Sequence, residues 1–289
     1  MGSHCLDGRR TLVMGVLNVT PDSFSDGGRF HSLDAALKAT GRYLAEGADL
    51  IDIGGQSTRP GAVEVSVEEE LARVVPLIRA LRGRFGPAPV LSLDTFRADV
   101  AQAGLEAGVD WINDVSGGSR EPRILAVAAA ADCPLVLMHL RGNSRTMNDL
   151  AHYGDVVAEV EQVLQERSVR ALGAGVRRER ILWDPGLGFA KTTAHNLSLL
   201  QALPRLRAHG YPLLVGPSRK RFIGELLAEP RPRARIWGTA ATVCRCIAAG
   251  VDVVRVHDVG PMVQVARMAD ALWRPGAAPP GGANGAPRP

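Results

Sequence analysis

Eight times along the chain, a short and almost unbroken apolar run is followed by a longer segment with helical spacing. The runs are Thr11–Leu17, Asp49–Ile53, Val90–Leu93, Val109–Ile112, Leu135–Met138, Ile181–Trp183, Pro212–Val215 and Asp252–Val256. Continuous hydrophobicity over so few residues is how a strand buried on both faces reads. The helical segments are Leu33–Glu46, Val67–Phe85, Arg97–Ala107, Ile124–Ala131, Asp155–Leu172, Asn196–His209, Ile236–Ala249 and Pro261–Trp273. Gly47, Gly108, Gly173, Gly210 and Gly250 stand where helices should stop, because glycine takes the left-handed C-cap conformation without steric cost. Strictly alternating units place the chain in the α/β class, and eight of them predict a single-domain (β/α)8 TIM barrel over residues 11–274. A doubly wound open sheet is the alternative arrangement of the same units. The first ten residues are expected to be a flexible segment. Residues 275–289, almost all Pro, Gly and Ala, are expected to form a disordered tail.

Composition removes several classes of function. A net charge of +4, scattered along the chain, and 4% aromatics argue against nucleic acid as a partner. No apolar stretch reaches the roughly 18 residues of a membrane span, and the N-terminus lacks the apolar core of a secretory signal. Four cysteines in 289 residues make no disulfide framework, so the expected setting is reducing and cytoplasmic. Of the 34 basic residues only Lys38, Lys191 and Lys220 are lysines. In an arginine-rich chain a lysine marks a place where the larger planar guanidinium does not fit.

In a barrel of this kind, chemistry sits at the C-terminal ends of the strands. The eight runs lead into Asn18, Asp52, Asp94, Asn113–Asp114, His139, Asp184, the Ser218-Arg219-Lys220 segment, and Arg255 with His257. Any one of these has an ordinary explanation as a helix cap or turn former. Polar groups at all eight ends are not explained by capping alone. Asp94, Asn113 and Asp184 offer acceptors and an amide to a flat heterocycle with an amidine-like edge, such as a 2-amino-4-oxopyrimidine. Arg255, His257 and a swinging Arg59 suit a phosphate or diphosphate. Arg219, Lys220 and Arg221 follow the seventh run; read as a solvated helix start they would oppose the helix dipole, so some anion nearby should compensate. The competing structural reading is an Asp–Arg network around the rim. Two long Gly/Pro/Ser/Thr-rich loops, 19–30 and 54–65, have the character of lids or binding loops. The stretch Gly186–Thr192 lacks phosphate-loop spacing, His139 alone reads as a core histidine, and Cys244 and Cys246 fall on opposite sides of one helix.

The segments MGVLNVTPDSFSDGG, IDIGGQSTRPGA, SLDT, INDVSGG, LMHLRGN, DPGLGFAKT, SRK and RVHDV, in that order, closely resemble the dihydropteroate synthase family from about Met14 to Val259. The resemblance implies condensation of 6-hydroxymethyl-7,8-dihydropterin diphosphate with para-aminobenzoate in folate biosynthesis, with sulfonamides as competitors. It implies a pterin site of Asp94, Asn113, Asp184 and Lys220. Asn18, Arg59, Arg255 and His257 would form the diphosphate site, with Asn18 also a Mg2+ ligand. The aminobenzoate pocket would comprise Phe24, Thr58, Pro60 and Ser218. Asp26 is the implied loop acid that stabilises a reacting cation, and Asp94 and Lys220 are implied to take part in the chemistry. The family also implies a homodimer, with the C-terminal helices as its surface. Gln56, Pro217 and Ala190 depart from common family spellings, which have Glu, a small or hydroxylated residue, and Gly. A pterin-dependent methyltransferase domain, a silent paralogue and a generic sugar-phosphate barrel enzyme are the rival readings.

Overall fold

The computed structural model describes residues 6, 8–19, 28–57 and 61–274. The tail, most of the first loop and the Thr58-Arg59-Pro60 segment lie outside the described residues. Eight strands occur in sequence order: β1 (Leu12–Asn18), β2 (Leu50–Gly54), β3 (Val90–Asp94), β4 (Trp111–Asp114), β5 (Leu135–Met138), β6 (Ile181–Asp184), β7 (Leu214–Val215) and β8 (Val253–Val256). All neighbours pair in parallel, and β1 lies between β2 and β8. A parallel bridge from Trp183 to Leu213, with the Trp183 N–H donating to the Pro212 carbonyl at 2.9 Å, joins β6 to the start of β7 and closes the ring. The expected single-domain (β/α)8 barrel is the fold.

The helices that wrap it are α1 (Gly28–Ala45), α2 (Val67–Phe85), α3 (Ala98–Ala107), α4 (Arg123–Ala131), α5 (Val156–Gly173), α6 (Thr193–Gln201), α7 (Leu203–Arg207), α8 (Arg221–Leu226), α9 (Ile236–Ala248) and α10 (Val259–Trp273). Three differences from the sequence reading have local causes. The segment read as one helix over Asn196–His209 is two, α6 and α7, because Pro204 starts a new helix and cannot continue the old one. The short α8 shows too few turns to carry a period. Gly173 is not a left-handed cap but the last residue of α5, and Gly175, at φ +95°, makes the turn.

The barrel interior is built in layers by the two-residue alternation of strands. Leu12 and Met14, Leu50, Val90, Trp111, Val136, Leu182, Leu214 and Val253 form an apolar plug to which every strand contributes. Two residues further along the same faces stand Asp52, Ser92, Asn113, Met138, Asp184, Gly216 and Arg255. The polar layer is therefore stacked directly on the plug, at the C-terminal mouth. The opposite parity packs the helices: Ile51, Leu91, Ile112, Leu137, Trp183 and Val254 are buried in the outer core.

Helix starts are specified locally. The Asp155 carboxylate accepts from the Val157 and Ala158 N–H groups at 2.9 and 3.1 Å, satisfying two donors that α5 leaves unpaired. We expect Asp155→Ala to lower stability by about 1 kcal/mol and the melting temperature by roughly 2–4 °C. Catalytic constants should not change; a thermal melt beside an activity assay checks both.

Candidate active site

The inward alternation concentrates charge. Arg255, projecting from β8, donates through Nε to Asp52 Oδ2 at 2.6 Å and through Nη2 to Asp94 Oδ2 at 2.8 Å. Asn113 donates to the same Asp52 oxygen at 3.0 Å, which leaves the Asn113 carbonyl facing elsewhere. Gly216, the inward position beyond β7, lies beside the Arg255 side chain: a Cβ there would sit 3.7 Å from Arg255 Cβ. Four strands thus contribute to one hydrogen-bonded group above the plug. The Asp–Arg network anticipated as an alternative is present, and it lies within the candidate site itself.

Asp184 and Lys220 stand beside this group. Burial pushes the Asp184 carboxyl up to about 6, against the opposing pull of the Gly186 N–H, Lys220, Lys191 and Arg255. Burial also lowers Lys220 to about 8, with Asp184 as the largest opposing influence. Asp94 is raised as well, first by burial and further by Asp52, with Arg255 acting the other way. Carboxylates and an ammonium held this far from water are primed for a charged or strongly polar ligand. The Lys220 ammonium lies 4.1 Å from the centre of the Phe189 ring, a cation–π contact. Its stem crosses Gly188 so closely that a Cβ there would come within 2.9 Å of Lys220 Cδ. Phe189, Met138, Val115, Leu140 and Phe96 make a small apolar wall at the mouth, suited to one face of a flat ring. A small open cleft lies beyond it, bordered by Phe189, Phe96, Gln56 and Arg120.

Some expected residues lie elsewhere. His139 was placed among the rim groups, but it has the outward parity of β5. It is fully buried on the helix side of the sheet, where its ring contacts Lys191. Asp114 also faces outward, accepting from the Ser116 and Gly118 N–H groups. The anion that compensates the cations before α8 is a protein side chain. Arg219 donates from Nε to Asp258 Oδ2 at 3.0 Å and from Nη2 to Oδ1, and Arg221 pairs with exposed Glu225. Of these three cations only Lys220 is directed at Asp184 and Phe189. Ser218 is buried; its hydroxyl accepts from the His257 backbone N–H at 3.1 Å and lies 3.1 Å from Nδ1. Phe24, Asp26, Thr58, Arg59 and Pro60 lie outside the described residues.

Asn18 ends β1 opposite Gly54. The space where Gly54 lacks a side chain is bounded by Asn18 Oδ1 at 3.3 Å and Asp94 Oδ2 at 3.7 Å, measured from an added Cβ. An amide oxygen beside a carboxylate fits the sparse protein contribution typical of Mg2+, which keeps waters and substrate phosphate oxygens as its other ligands. Among the described residues no three His, Cys, Asp or Glu side chains converge as a preformed metal cage.

Sequence reasoning counted Asp52 among the rim groups but gave it no role in the charged group. Its fixed spacing of two from Leu50, repeated as Trp111–Asn113, Leu182–Asp184 and Val253–Arg255, was the available signal. Phe189 and the buried Lys191 were set aside with a weak motif, although the scarcity of lysine pointed to them.

With this geometry in place, the chain's similarities are specific. Residues 14–257 match the family model described as pterin binding enzyme, and the chain belongs to that family. The dihydropteroate synthase of Synechocystis is 55% identical over 267 residues, covering 92% of each chain, and that of Escherichia coli is 46% identical over 268 residues. The Xanthomonas albilineans dihydropteroate synthase, solved with 4-aminobenzoic acid, superposes with a TM-score of 0.85 at 47% identity, over 92% of this chain and 94% of that one.

Arg255 is the only described cation hydrogen-bonded to Asp52 and Asp94. In Arg255→Met, Asp94, already raised by burial and by Asp52, loses the cation that opposes this and should take up its proton still further above its unfolded range near 4. The folded state then binds more protons than the unfolded one, so stability falls as pH rises from about 5 to 8. The melting-temperature deficit of Arg255→Met should be several degrees larger at the higher pH. Equal deficits at both pH values would show that charge pairing is not what Arg255 contributes.

Proposed function

We propose that this chain is a dihydropteroate synthase, a transferase joining 6-hydroxymethyl-7,8-dihydropterin diphosphate to para-aminobenzoate, with 7,8-dihydropteroate and diphosphate as products. The observation that carries this reading is the meeting, on one barrel mouth, of acceptors for a pterin edge with cations for a diphosphate. Asp94, Asp184 and the Asn113 amide suit the ring N–H groups and exocyclic amine of a pterin. Lys220, beside Asp184 and Phe189, completes the pterin site, and Arg255 and His257 are assigned to the diphosphate. The Phe189–Met138–Val115 wall supports the flat ring.

In this mechanism the C–O bond between the pterin methylene and the diphosphate breaks, and its electron pair leaves on the diphosphate oxygen. The arylamine nitrogen then forms the C–N bond and releases one proton. The arylamine is neutral near pH 7, so attack requires no strong base. Ionised Asp94 and Asp184 hold the pterin and favour the positive charge that develops on it. Arg255, His257 and the loop residue Arg59 stabilise the departing anion. Asn18 would hold Mg2+, which would supply further charge neutralisation on the diphosphate. Lys220 lies between Asp184 and Phe189 and borders both substrates. Phe24, Thr58, Pro60 and Ser218 are assigned to the aminobenzoate pocket, where sulfonamides compete, and Asp26 to stabilisation of the pterin cation.

The finer setting belongs to the same proposal. The enzyme works in the cytoplasm as a homodimer. Leu226 and Leu227, Trp237 at 81% exposure, and Met268, Leu272 and Trp273 leave a large apolar area on and beside α8, α9 and α10, the kind of surface a second subunit covers. No helix among the described residues is long and apolar enough to cross a membrane.

The test is diphosphate release with pterin diphosphate, Mg2+ and aminobenzoate. Release should require all three; release without aminobenzoate, or none with the full set, refutes the reading. Lys220→Arg should reduce kcat/KM more than tenfold, at least about 1.4 kcal/mol, because a planar guanidinium cannot occupy the space over Gly188 and Phe189. The pH profile of kcat/KM should be bell-shaped. Activity rises as Asp184 and Asp94 ionise, near about 6 and about 7, and falls as Lys220 loses its proton near about 8. A profile flat across this range would remove these groups from their assigned roles.

A further inference from the structure

Behind the Asp184 strand end, on the helix side of the sheet, lies a polar cluster that the mechanism does not use. Lys191 is only 4% exposed. Its ammonium donates to the Phe189 carbonyl at 2.9 Å and lies 2.9 Å from Nδ1 of buried His139. The next carbonyl along, that of Ala190, accepts from the Tyr153 hydroxyl at 3.0 Å. Ala190 is itself held at φ +50°, the left-handed region that a side chain normally avoids. Two successive carbonyls of a strained turn are thus gripped by two side chains from outside the barrel mouth.

The rest of the turn is equally constrained. The His139 N–H donates to the Asp184 carbonyl at 2.9 Å, and the Gly186 N–H to the Asp184 carboxylate at 2.7 Å. Gly186, at φ +68°, lies so close to the His139 carbonyl that any Cβ would collide with it. Gly188 N–H donates to Asn196 Oδ1 at 2.7 Å. One end of this turn presents Asp184 and the other presents Phe189, which faces Lys220.

We propose that Lys191 is a positioning residue for the pterin site: seated on His139 and assisted by Tyr153, it clamps the Asp184–Lys191 turn so that Asp184 and Phe189 face the same ligand. The inference deepens the proposed function and rests on its pterin site. Lysine is required because its straight stem reaches a fully enclosed acceptor pair where a guanidinium would not fit. Burial lowers both partners, His139 to about 2 and Lys191 well below its ordinary value, so the imidazole is neutral and able to accept through Nδ1. Left-handed Ala190 is a strained conformation for a residue with a side chain. The Tyr153 hydroxyl offsets that strain, which glycine at this position would not incur.

The experiment measures the dissociation constant of 6-hydroxymethylpterin by fluorescence quenching, beside steady-state kinetics. Lys191→Met keeps the apolar stem and removes the clamp; pterin binding should weaken at least about tenfold, with the aminobenzoate KM, at saturating pterin diphosphate, changed by less than about twofold. Tyr153→Phe, which keeps the ring, should weaken pterin binding at least about threefold, and adding Ala190→Gly should restore it to within about twofold. Pterin affinity within about twofold of the wild type in Lys191→Met overturns the inference. The same result in Tyr153→Phe does so if Lys191→Met does not fold. A loss shared equally by the aminobenzoate KM, or no restoration by Ala190→Gly, also overturns it. Turnover by the wild-type enzyme tests the proposed function, and pterin binding by the variants tests this inference, so each can fail separately.

Discussion

The ion pairs of Arg255 with Asp52 and Asp94 govern the barrel mouth. Asp52 is fully buried and Asp94 nearly so. Two carboxylates so close together, with little water, cannot both stay ionised without a cation between them. Arg255 provides it with two separate N–H groups, and Asn113 adds a neutral donor to the shared Asp52 oxygen. Without this group, four strands would direct polar side chains at one another above an apolar plug. With it, the mouth is a rigid polar floor. The same pairs also occupy hydrogen-bonding capacity that a ligand would use, so an incoming pterin or diphosphate exchanges contacts with a preorganised network rather than filling an empty one.

Division of labour between strands and loops follows from that floor. Residues fixed by strand alternation hold the heterocycle side of the proposed chemistry, because strands place side chains reproducibly relative to the plug. The groups assigned to the aminobenzoate fall largely on long loops. Parts of the second loop are tied down: Glu64 pairs with Arg120, and the Gly61 N–H and Ala62 carbonyl bond to the Ser144 backbone and hydroxyl at 2.8 and 2.7 Å. These contacts bracket the Thr58-Arg59-Pro60 segment from its C-terminal side.

Much of this was legible in the sequence, for a physical reason. Strands buried on both faces leave continuous apolar runs, so all eight strands were recoverable, and their ends located Asp94, Asn113, Asp184 and Arg255. Side-chain direction beyond the run was harder to read. His139 and Asp184 both follow apolar runs, yet one has outward and the other inward parity. Only counting from the plug residues separates them. Pairings between distant segments were not legible at all. Nothing in a run of three cations before α8 reveals that Asp258, beyond β8, neutralises the first of them. The six residues of α8 were too few to show a helical period. The loop after it is held by Arg235, which donates to the carbonyls of Glu229, Pro230 and Arg219.

The two lysines near Asp184 show how composition can carry site information that motifs do not. Arginine keeps its charge in nearly any environment and brings a wide, planar head, so it serves where a fork must bridge two carboxylates, as Arg255 does, or grip both oxygens of one, as Arg219 does. Lysine has a narrow stem and an ammonium whose protonation answers to its surroundings. Both Lys191 and Lys220 are lowered by burial and held up chiefly by Asp184. One approaches that carboxylate from the helix side, through a turn, and the other from the mouth. A chain that uses arginine almost everywhere else retains lysine where a tunable, slender cation is needed on each side of one buried acid. That acid's ionisation therefore depends on both faces of the sheet, which couples the packing behind the pterin pocket to the chemistry in front of it.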